Sequence, residues 1–260
     1  MDHEAYVMTV REQSERFLEA LADAPSTTPV PTCPGWTAAD LLHHLTEVQH
    51  TWSRVVAEGL EGPDVPEPVA DEPITGAARA GTALLAALEA HRPEQPCWSW
   101  HEAGGTVGWV ARRQAHEALV HRVDAELTAG LAVRPPPVDL AADGVDEVLT
   151  VMLDGVPAWG TFTPDGTTVV LRCSNHPDRW TVRLGRFAGT SPTTGTTHDL
   201  DAAAVDRGEP ADGASDLTVT GAAWDLDRWL WGRGDAQRLE VAGPTELLDR
   251  LRALLAETTG

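Results

Sequence analysis

The fold of the first half is decided by PTCPGWTAADLLHHLTEV, residues 31–48, because this stretch contains the start of a helix. Gly35 and Trp36 end a Pro-rich loop, Thr37 can cap the helix, and Asp40 completes an Asp variant of the capping box. Apolar side chains then recur at three- and four-residue steps, at Leu41, Leu45, Val48, Trp52 and Val55. We predict a helix that continues to about residue 58 and buries this stripe.

Similar spacing predicts three more helices in the first half, over residues 4–21, 74–91 and 107–128. Pro- and Gly-rich loops separate them, including residues 59–73 and 92–105. Four helices with intervening loops are typical of a helical bundle. A further helix, over residues 140–152, follows LAVRPPPVD and connects the bundle to the rest of the chain. The first domain is therefore predicted to cover residues 1–149.

The second half has the composition of a mixed domain, predicted over residues 150–260. Two alternating, β-branched strands are predicted in TTVVLRC and RWTVRLGRF, a third in DLTVTG and a short one in RLEVAG. Helices are predicted in AAWDLDRWLWGR and in PTELLDRLRALLAE, which has Pro at its start. We therefore expect a smaller α+β domain after the bundle.

Composition limits the partners and the compartment. The 40 acidic side chains against 19 basic ones give a formal charge of -21, which would repel nucleic acid and anionic membranes. No apolar run approaches the roughly 20 residues of a membrane span, and the N-terminus lacks the features of a secretory signal. The three cysteines, Cys33, Cys97 and Cys173, fit neither a disulfide framework nor a Cys-x-x-Cys site. We expect a cytoplasmic protein with no nucleic-acid or membrane partner.

The residues that carry chemistry lie on two of the predicted helices. His44 lies beside the buried stripe of the first, and Glu117, His121 and Asp124 form one polar column on the helix over residues 107–128. A buried carboxylate and imidazole are costly unless something compensates them. A divalent metal would do so, with His44 as the third ligand of an open site. Asp124 could then hold the second ring nitrogen of His121.

Two other interpretations of this helix must be weighed. His116 and His121 in HEALVH are five residues apart, about 140° around a helix, so they cannot share one metal as in the H-E-x-x-H motif. A solvated or mutually satisfied His–Glu pair is also common, and the spacing alone favours it over a metal site. The spacing is therefore compatible with a metal site but does not distinguish it from a hydrogen-bonded His–Glu pair.

PTCPGWTAADLLHHLTEV and RRQAHEALVHRVDAE, residues 31–48 and 112–126, together resemble the mycothiol-dependent maleylpyruvate isomerase family. This family belongs to the DinB-like group of metal-binding four-helix bundles and carries a smaller, sterol-carrier-like α+β domain at its C-terminus. The resemblance implies that His44, Glu117 and His121 bind the metal. An arginine that the isomerase needs lies in a Gly-Arg-Gly context, which matches Gly232, Arg233 and Gly234.

The implied chemistry uses an external thiol. Mycothiol would be activated on a divalent metal, with zinc as first choice, although nickel, iron and manganese accept similar ligands. A free thiol has a pKa of about 8.5, and metal binding would convert it to the thiolate that attacks a small electrophile. The thiolate would either isomerise a cis double bond, as in maleylpyruvate, or remain on the product. Arg233 is the implied catalytic and cofactor-binding residue, through a carboxylate clamp supplied by the second domain.

Two other functions stay open at this point. The chain could be a binding protein for an apolar ligand with a purely structural metal, or a metal-dependent hydrolase that uses water as nucleophile. A homodimer is one alternative for the oligomeric state. Cys33 is interpreted as structural, because an external thiol makes a protein nucleophile redundant.

Overall fold

The computed structural model describes residues 1–68, 72–101, 104–154, 156–210 and 213–259. Parts of the predicted loops, residues 69–71 and 102–103, lie outside the described residues. The chain divides into two compact units, Met1–Arg134 and Pro135–Gly260, and each is described by itself.

The first unit is a bundle of four helices, which confirms the sequence prediction. They are α1 His3–Leu21, α2 Ala38–Glu58, α3 Pro73–Ala90 and α4 Val107–Thr128. The largest contacts are those of α1 with α4 and of α2 with α3. Apolar side chains from all four helices form the core, among them Phe17, Leu41, Leu84 and Val110, each with no exposed surface.

The start of α2 is fixed by local interactions. Thr37 accepts a hydrogen bond from the amide of Asp40, and the Asp40 carboxylate accepts one from the amide of Thr37 at 2.8 Å, so the predicted capping box is present. Gly35 has a φ of +86°, which favours glycine over any residue with a Cβ. Because these contacts set the direction of α2, Leu41 faces the core and His44, three residues later, lies at its edge.

α4 is buried at most of its positions, including several charged ones. Arg122 is fully buried: its Nε donates to Gln13 Oε1 at 3.1 Å and its Nη1 to Glu126 Oε2 at 2.6 Å and to the carbonyl of Arg134 at 2.8 Å. Since Gln13 belongs to α1, this cluster connects the two most closely packed helices. The sequence analysis predicted a polar column on this helix, and the structure surrounds that column with buried side chains.

The second unit contains a five-stranded sheet of order β3-β2-β1-β4-β5. Its strands are β1 Gly160–Cys173, β2 Arg179–Thr190, β3 Thr197–Arg207, β4 Leu217–Gly221 and β5 Glu240–Ala242. All neighbouring pairs are antiparallel except β1 and β4, which are parallel. The helices of this unit are α5 Val138–Glu147, α6 Ala223–Leu230 and α7 Thr245–Thr259. The fold class is therefore α+β, as predicted.

Two details of this unit differ from the sequence prediction. β3 was not predicted, although it pairs with β2 along its whole length. The helix predicted over residues 140–152 ends as an α-helix at Glu147 and continues as a π-helical turn, Val148–Leu153.

The structure divides after Arg134, so α5 belongs to the second unit. The sequence prediction put the boundary after residue 149 and so placed α5 in the first domain. Asp146 of α5 accepts hydrogen bonds from Trp180 of β2 at 2.9 Å and from Arg207 of β3 at 2.6 Å, and α5 packs against α6. These contacts group α5 with the sheet. Among the described residues, no helix combines the length and the apolar content needed to cross a lipid bilayer.

Candidate metal centre

The bundle brings together the three residues that the sequence analysis singled out as ligands. His44 Nε2 lies 3.3 Å from Glu117 Oε1, and His121 Nε2 lies 3.1 Å from the same oxygen. One candidate ligand atom from each residue lies within 4.8 Å of the other two. Helices α2 and α4 therefore direct two imidazole nitrogens and one carboxylate oxygen to a common point.

The chemistry of this set fits a divalent metal. Imidazole nitrogen and carboxylate oxygen are the ligands that zinc takes in open, three-residue sites. The same contacts also satisfy the three side chains as a hydrogen-bonded cluster without an ion, so their distances agree with both descriptions. The surrounding residues carry further information about the site.

Asp124 orients His121 from behind. Its carboxylate is fully buried and lies 3.0 Å from His121 Nδ1, so Nε2 of the same ring points to Glu117. Thr32 donates its hydroxyl to the other oxygen of Asp124, and the Cys33 thiol donates to Asp124 at 3.7 Å. The loop that begins α2 therefore also fixes the carboxylate that orients a candidate ligand. This carboxylate–histidine arrangement is the one that metal-binding histidines commonly adopt.

Arg113, one turn before Glu117 on α4, is a site residue that the sequence analysis missed. Its guanidinium is buried and forms an ion pair with Glu117 Oε2, which leaves Oε1 to face the two imidazoles. Its spacing of four residues from Glu117 was the available signal.

The electrostatics of the cluster follow from these contacts. Burial would raise the pKa of Glu117, but Arg113, His121 and His44 outweigh it and hold that pKa well below the usual value. Burial would lower the pKa of His121, but the hydrogen bonds to Asp124 and Glu117 prevail and raise it to about 9. Glu117 is therefore an anion in the folded protein, as a metal ligand must be, whereas His121 would release a ring proton when a metal binds.

The other histidines of these helices lie elsewhere. The ring of His116 packs edge-on against Tyr6 of α1 at a centroid distance of 6.5 Å, in agreement with its predicted exclusion from the site. His43 is exposed and pairs with Glu47 at 3.3 Å. Trp36, at the end of the loop before α2, places its ring 5.0 Å from that of His44.

Arg233 lies in the second unit, in the turn after α6. Gly232 has a φ of +74°, and a Cβ on Gly234 would lie 2.8 Å from the backbone nitrogen of Trp229. The turn therefore requires glycine on both sides of Arg233. The amide of Arg233 donates to the carbonyl of Arg228 at 2.7 Å, and its Nη1 donates to that of Trp231 at 2.6 Å. The half-buried arginine is thus held by a constrained backbone.

A four-helix bundle with a His-Glu-His cluster on two facing helices, followed by an α+β unit, is the architecture of a protein of two compact units with a candidate metal centre in the helical one. Residues 7–126 match the family model of the mycothiol maleylpyruvate isomerase N-terminal domain, and residues 139–250 match that of the MDMPI C-terminal domain. The chain belongs to the mycothiol-dependent maleylpyruvate isomerase family, and it is therefore an enzyme, as the sequence analysis expected.

Solved structures agree with this assignment at the level of the fold. The chain is similar to a histidine-to-alanine variant of the mycothiol-dependent maleylpyruvate isomerase, with a TM-score of 0.60, 13% identity and 93% of each chain covered. It is also similar to another crystal structure of the mycothiol-dependent maleylpyruvate isomerase, with a TM-score of 0.54, 14% identity and the same coverage. Comparison with curated proteins finds no significant match.

Proposed function

We propose that the chain is a metalloenzyme that uses mycothiol to attack a small electrophile. The observation that carries the proposal is the convergence of His44 Nε2, Glu117 Oε1 and His121 Nε2. These atoms lie in a bundle whose family is named for the mycothiol-dependent reaction. The proposal also places the enzyme in the cytoplasm, where its three free cysteines and its thiol cosubstrate would stay reduced.

The three side chains would hold a divalent metal, and zinc suits them best. Bound there, the metal would lower the pKa of a thiol and so supply a thiolate at neutral pH. The residues around it have separate tasks: Asp124 fixes the ring of His121, and Arg113 holds one oxygen of Glu117. The exposed fraction of the side chain is 34% for His44, 14% for Glu117 and 10% for His121, so the cluster is accessible to a small molecule from the His44 side.

The second part of the reaction is a change in the electrophile. The thiolate sulfur forms a bond to one carbon of a conjugated double bond, and the π electron pair moves onto the conjugated carbonyl oxygen. The groups on either side of the former double bond can then rotate about it, because it is now a single bond. If the C–S bond breaks and the electron pair returns, the product is the trans isomer and the thiol is recovered. If a proton adds to carbon instead, the product is a thioether, and the enzyme is a transferase.

Arg233 is proposed to bind a carboxylate of the electrophile. Its planar guanidinium can hold a carboxylate through two parallel hydrogen bonds, which fixes orientation as well as position. The constrained turn between Gly232 and Gly234 supports this task, because a preorganised side chain loses less entropy on binding.

Metal content is the first test. Protein purified without chelator should contain about one zinc per chain, and His44→Ala and His121→Ala should lose most of it. His43→Ala is the matched control, since it removes the adjacent, exposed histidine of the same helix. A metal-free wild type would refute the proposal.

Turnover is the second test. We expect wild type with mycothiol to convert maleylpyruvate or a related unsaturated acid, and Arg233→Met to raise KM for that acid without changing metal content. Mass spectrometry of the products distinguishes isomerisation from thioether formation. Conversion without any thiol would show a hydrolase instead, and a retained apolar ligand together with no turnover would show a binding protein.

A further inference from the structure

Gln114 is a buried amide on the same face of α4 as the candidate ligands. It precedes Glu117 by three residues and His121 by seven, which places it about 60° and 20° from them around the helix axis. Its exposed fraction is only 1%. Within the part of the chain that the structure describes, neither its Nε2 nor its Oε1 has a hydrogen-bond partner.

Two other glutamines are buried in the same bundle, and both are hydrogen-bonded. Gln49 donates from Nε2 to the hydroxyl of Ser14 at 2.7 Å. Gln13 accepts from Arg122 at 3.1 Å. An unsatisfied amide inside a protein is costly, so buried amides without partners are uncommon and call for an explanation. In this bundle the unsatisfied amide is the one that lies beside the candidate metal centre.

The opposing helix offers Gln114 no polar partner. His44 faces Glu117, while Trp52, two turns further along α2, has its ring 5.9 Å from that of Trp109 near the start of α4. The two helices are therefore antiparallel, and Val48, one turn after His44, comes at the level of Gln114. Val48 packs into the apolar core of the bundle. A polar ligand that enters from the candidate centre would thus meet Gln114 at this level, beside Arg113, whose guanidinium is already paired with Glu117.

We infer that Gln114 binds the amide group next to the sulfur of the thiol cosubstrate. The inference rests on the proposed function, in which the thiol sulfur would bind the metal that His44, Glu117 and His121 hold. In a cysteine-derived thiol, the amide nitrogen is attached to the carbon next to the one that carries sulfur. Three residues of helix rise by about 4.5 Å, a span that this short chain of bonds covers.

The carboxamide of Gln114 is the chemical complement of such an amide. Its Oε1 can accept from the amide N–H, while the carbonyl of a trans amide points the other way, so one end of the Gln114 carboxamide binds the ligand amide. One of the two atoms that have no partner among the described residues would then be satisfied by the ligand amide. Gln114 would select thiols that carry an amide and would orient the sulfur, without contacting the electrophile.

Two small thiols test this inference because they differ only in the amide. N-acetylcysteine carries an acetamide on the carbon next to CH2–SH, and 3-mercaptopropionate carries hydrogen there. Calorimetric titration of the zinc-loaded protein should show that wild type binds N-acetylcysteine about tenfold more tightly. Gln114→Met should remove this preference and leave the affinity for 3-mercaptopropionate unchanged. In turnover, it should raise KM for mycothiol but not for the electrophile.

Control variants separate recognition from folding. Gln49→Met removes a buried amide of the same bundle that already has a partner, so it should keep the thiol preference of the wild type. Gln114→Asn retains the amide but withdraws it by one methylene group, so an intermediate preference is expected, and it serves if Gln114→Met does not fold. Zinc content should be the same in all four proteins.

The outcomes are distinct. An equal preference in wild type and Gln114→Met would overturn the inference and leave the proposed function standing. A rise in KM for the electrophile alone, or loss of zinc from the variant, would also overturn it, because Gln114 would then bind another group. A zinc-loaded wild type that binds neither thiol would overturn both the inference and the proposed function.

Discussion

Replacement of Asp124 by asparagine tests whether Asp124 orients His121 for metal binding, because it leaves the candidate ligand His121 itself unchanged. Asp124→Asn keeps the shape of the side chain but removes its charge and one of its two acceptor oxygens. In the wild type those oxygens accept from Thr32 and from Cys33, and one of them lies 3.0 Å from His121 Nδ1. The remaining oxygen of asparagine can still accept from His121, and the hydroxyl of Thr32 can rotate to accept from the new amide. We therefore expect the variant to fold.

The cost should appear in metal affinity. Loss of the group that orients a ligating histidine typically weakens metal binding 10- to 100-fold, which corresponds to about 1.4 to 2.7 kcal/mol. Asp124 has no exposed surface, so solvent screens its charge little, and we expect a loss near the upper end of this range. The effect would come entirely from a side chain that does not bind the metal.

Competition with a zinc-binding dye measures this affinity directly. Thr32→Val is the matched control, because it removes a neutral donor to Asp124 and leaves the charge beside His121, so its loss should be smaller. If folded Asp124→Asn binds zinc as tightly as wild type, the carboxylate does not orient His121 for metal binding, and the reasoning fails.

Three further predictions concern stability, all measured by urea unfolding. A Cβ on Gly144 would lie 2.7 Å from both carboxylate oxygens of Asp227, so Gly144→Ala should destabilise the protein by about 1 to 3 kcal/mol; unchanged stability would mean that α5 and α6 can separate without cost. Burial and then the nearby Glu147 raise the pKa of Asp227 well above its usual value. A carboxyl group with a raised pKa stabilises the folded protein fully below its pKa in the unfolded chain, about 3.9. This stabilisation is lost as the pH rises through its pKa in the folded protein. Asp227→Asn should therefore gain stability relative to wild type as the pH rises from about 5 to about 8. If the difference in unfolding free energy between the two proteins does not depend on pH, Asp227 does not bury a proton. Arg122→Met leaves the Glu126 carboxylate buried without its cation and should cost about 3 to 5 kcal/mol; recovery of part of this loss by adding Glu126→Gln tests the cause.

The features that the sequence predicted best depend on neighbours along the chain. The capping box of Thr37 and Asp40 involves residues three apart, and the stripe on α2 follows the period of one helix. For the same reason the inward position of His44 and the exclusion of His116 could be deduced from helical spacing. The choice of a metal over a satisfied His–Glu pair depended on resemblance, because spacing is the same in both.

The features that were missed depend on partners distant in sequence. β3 has the sequence THDLDAAAVDR, which is acidic and rich in alanine, and it becomes a strand through its pairing with β2. Thr32 contacts Asp124 across 92 positions of sequence, and no local pattern indicates such a contact. The grouping of α5 with the second unit likewise follows from the contacts of Asp146 with β2 and β3.

The burial of α4 supplies a physical argument for a functional site that is independent of family resemblance. A helix buried at most of its positions is most simply stabilised by apolar residues, since the desolvation of charges is only partly repaid by pairing. α4 instead carries ionisable side chains paired one turn apart, Arg113 with Glu117 and His121 with Asp124. It also carries Gln114, which has no partner among the described residues. The two pairs shape or orient the ligand face at a cost to stability, and replacement of Gln114 by an apolar residue of similar size should even stabilise the protein. These polar groups destabilise the core and converge on one point, so the simplest explanation for their presence is a ligand that binds at that point.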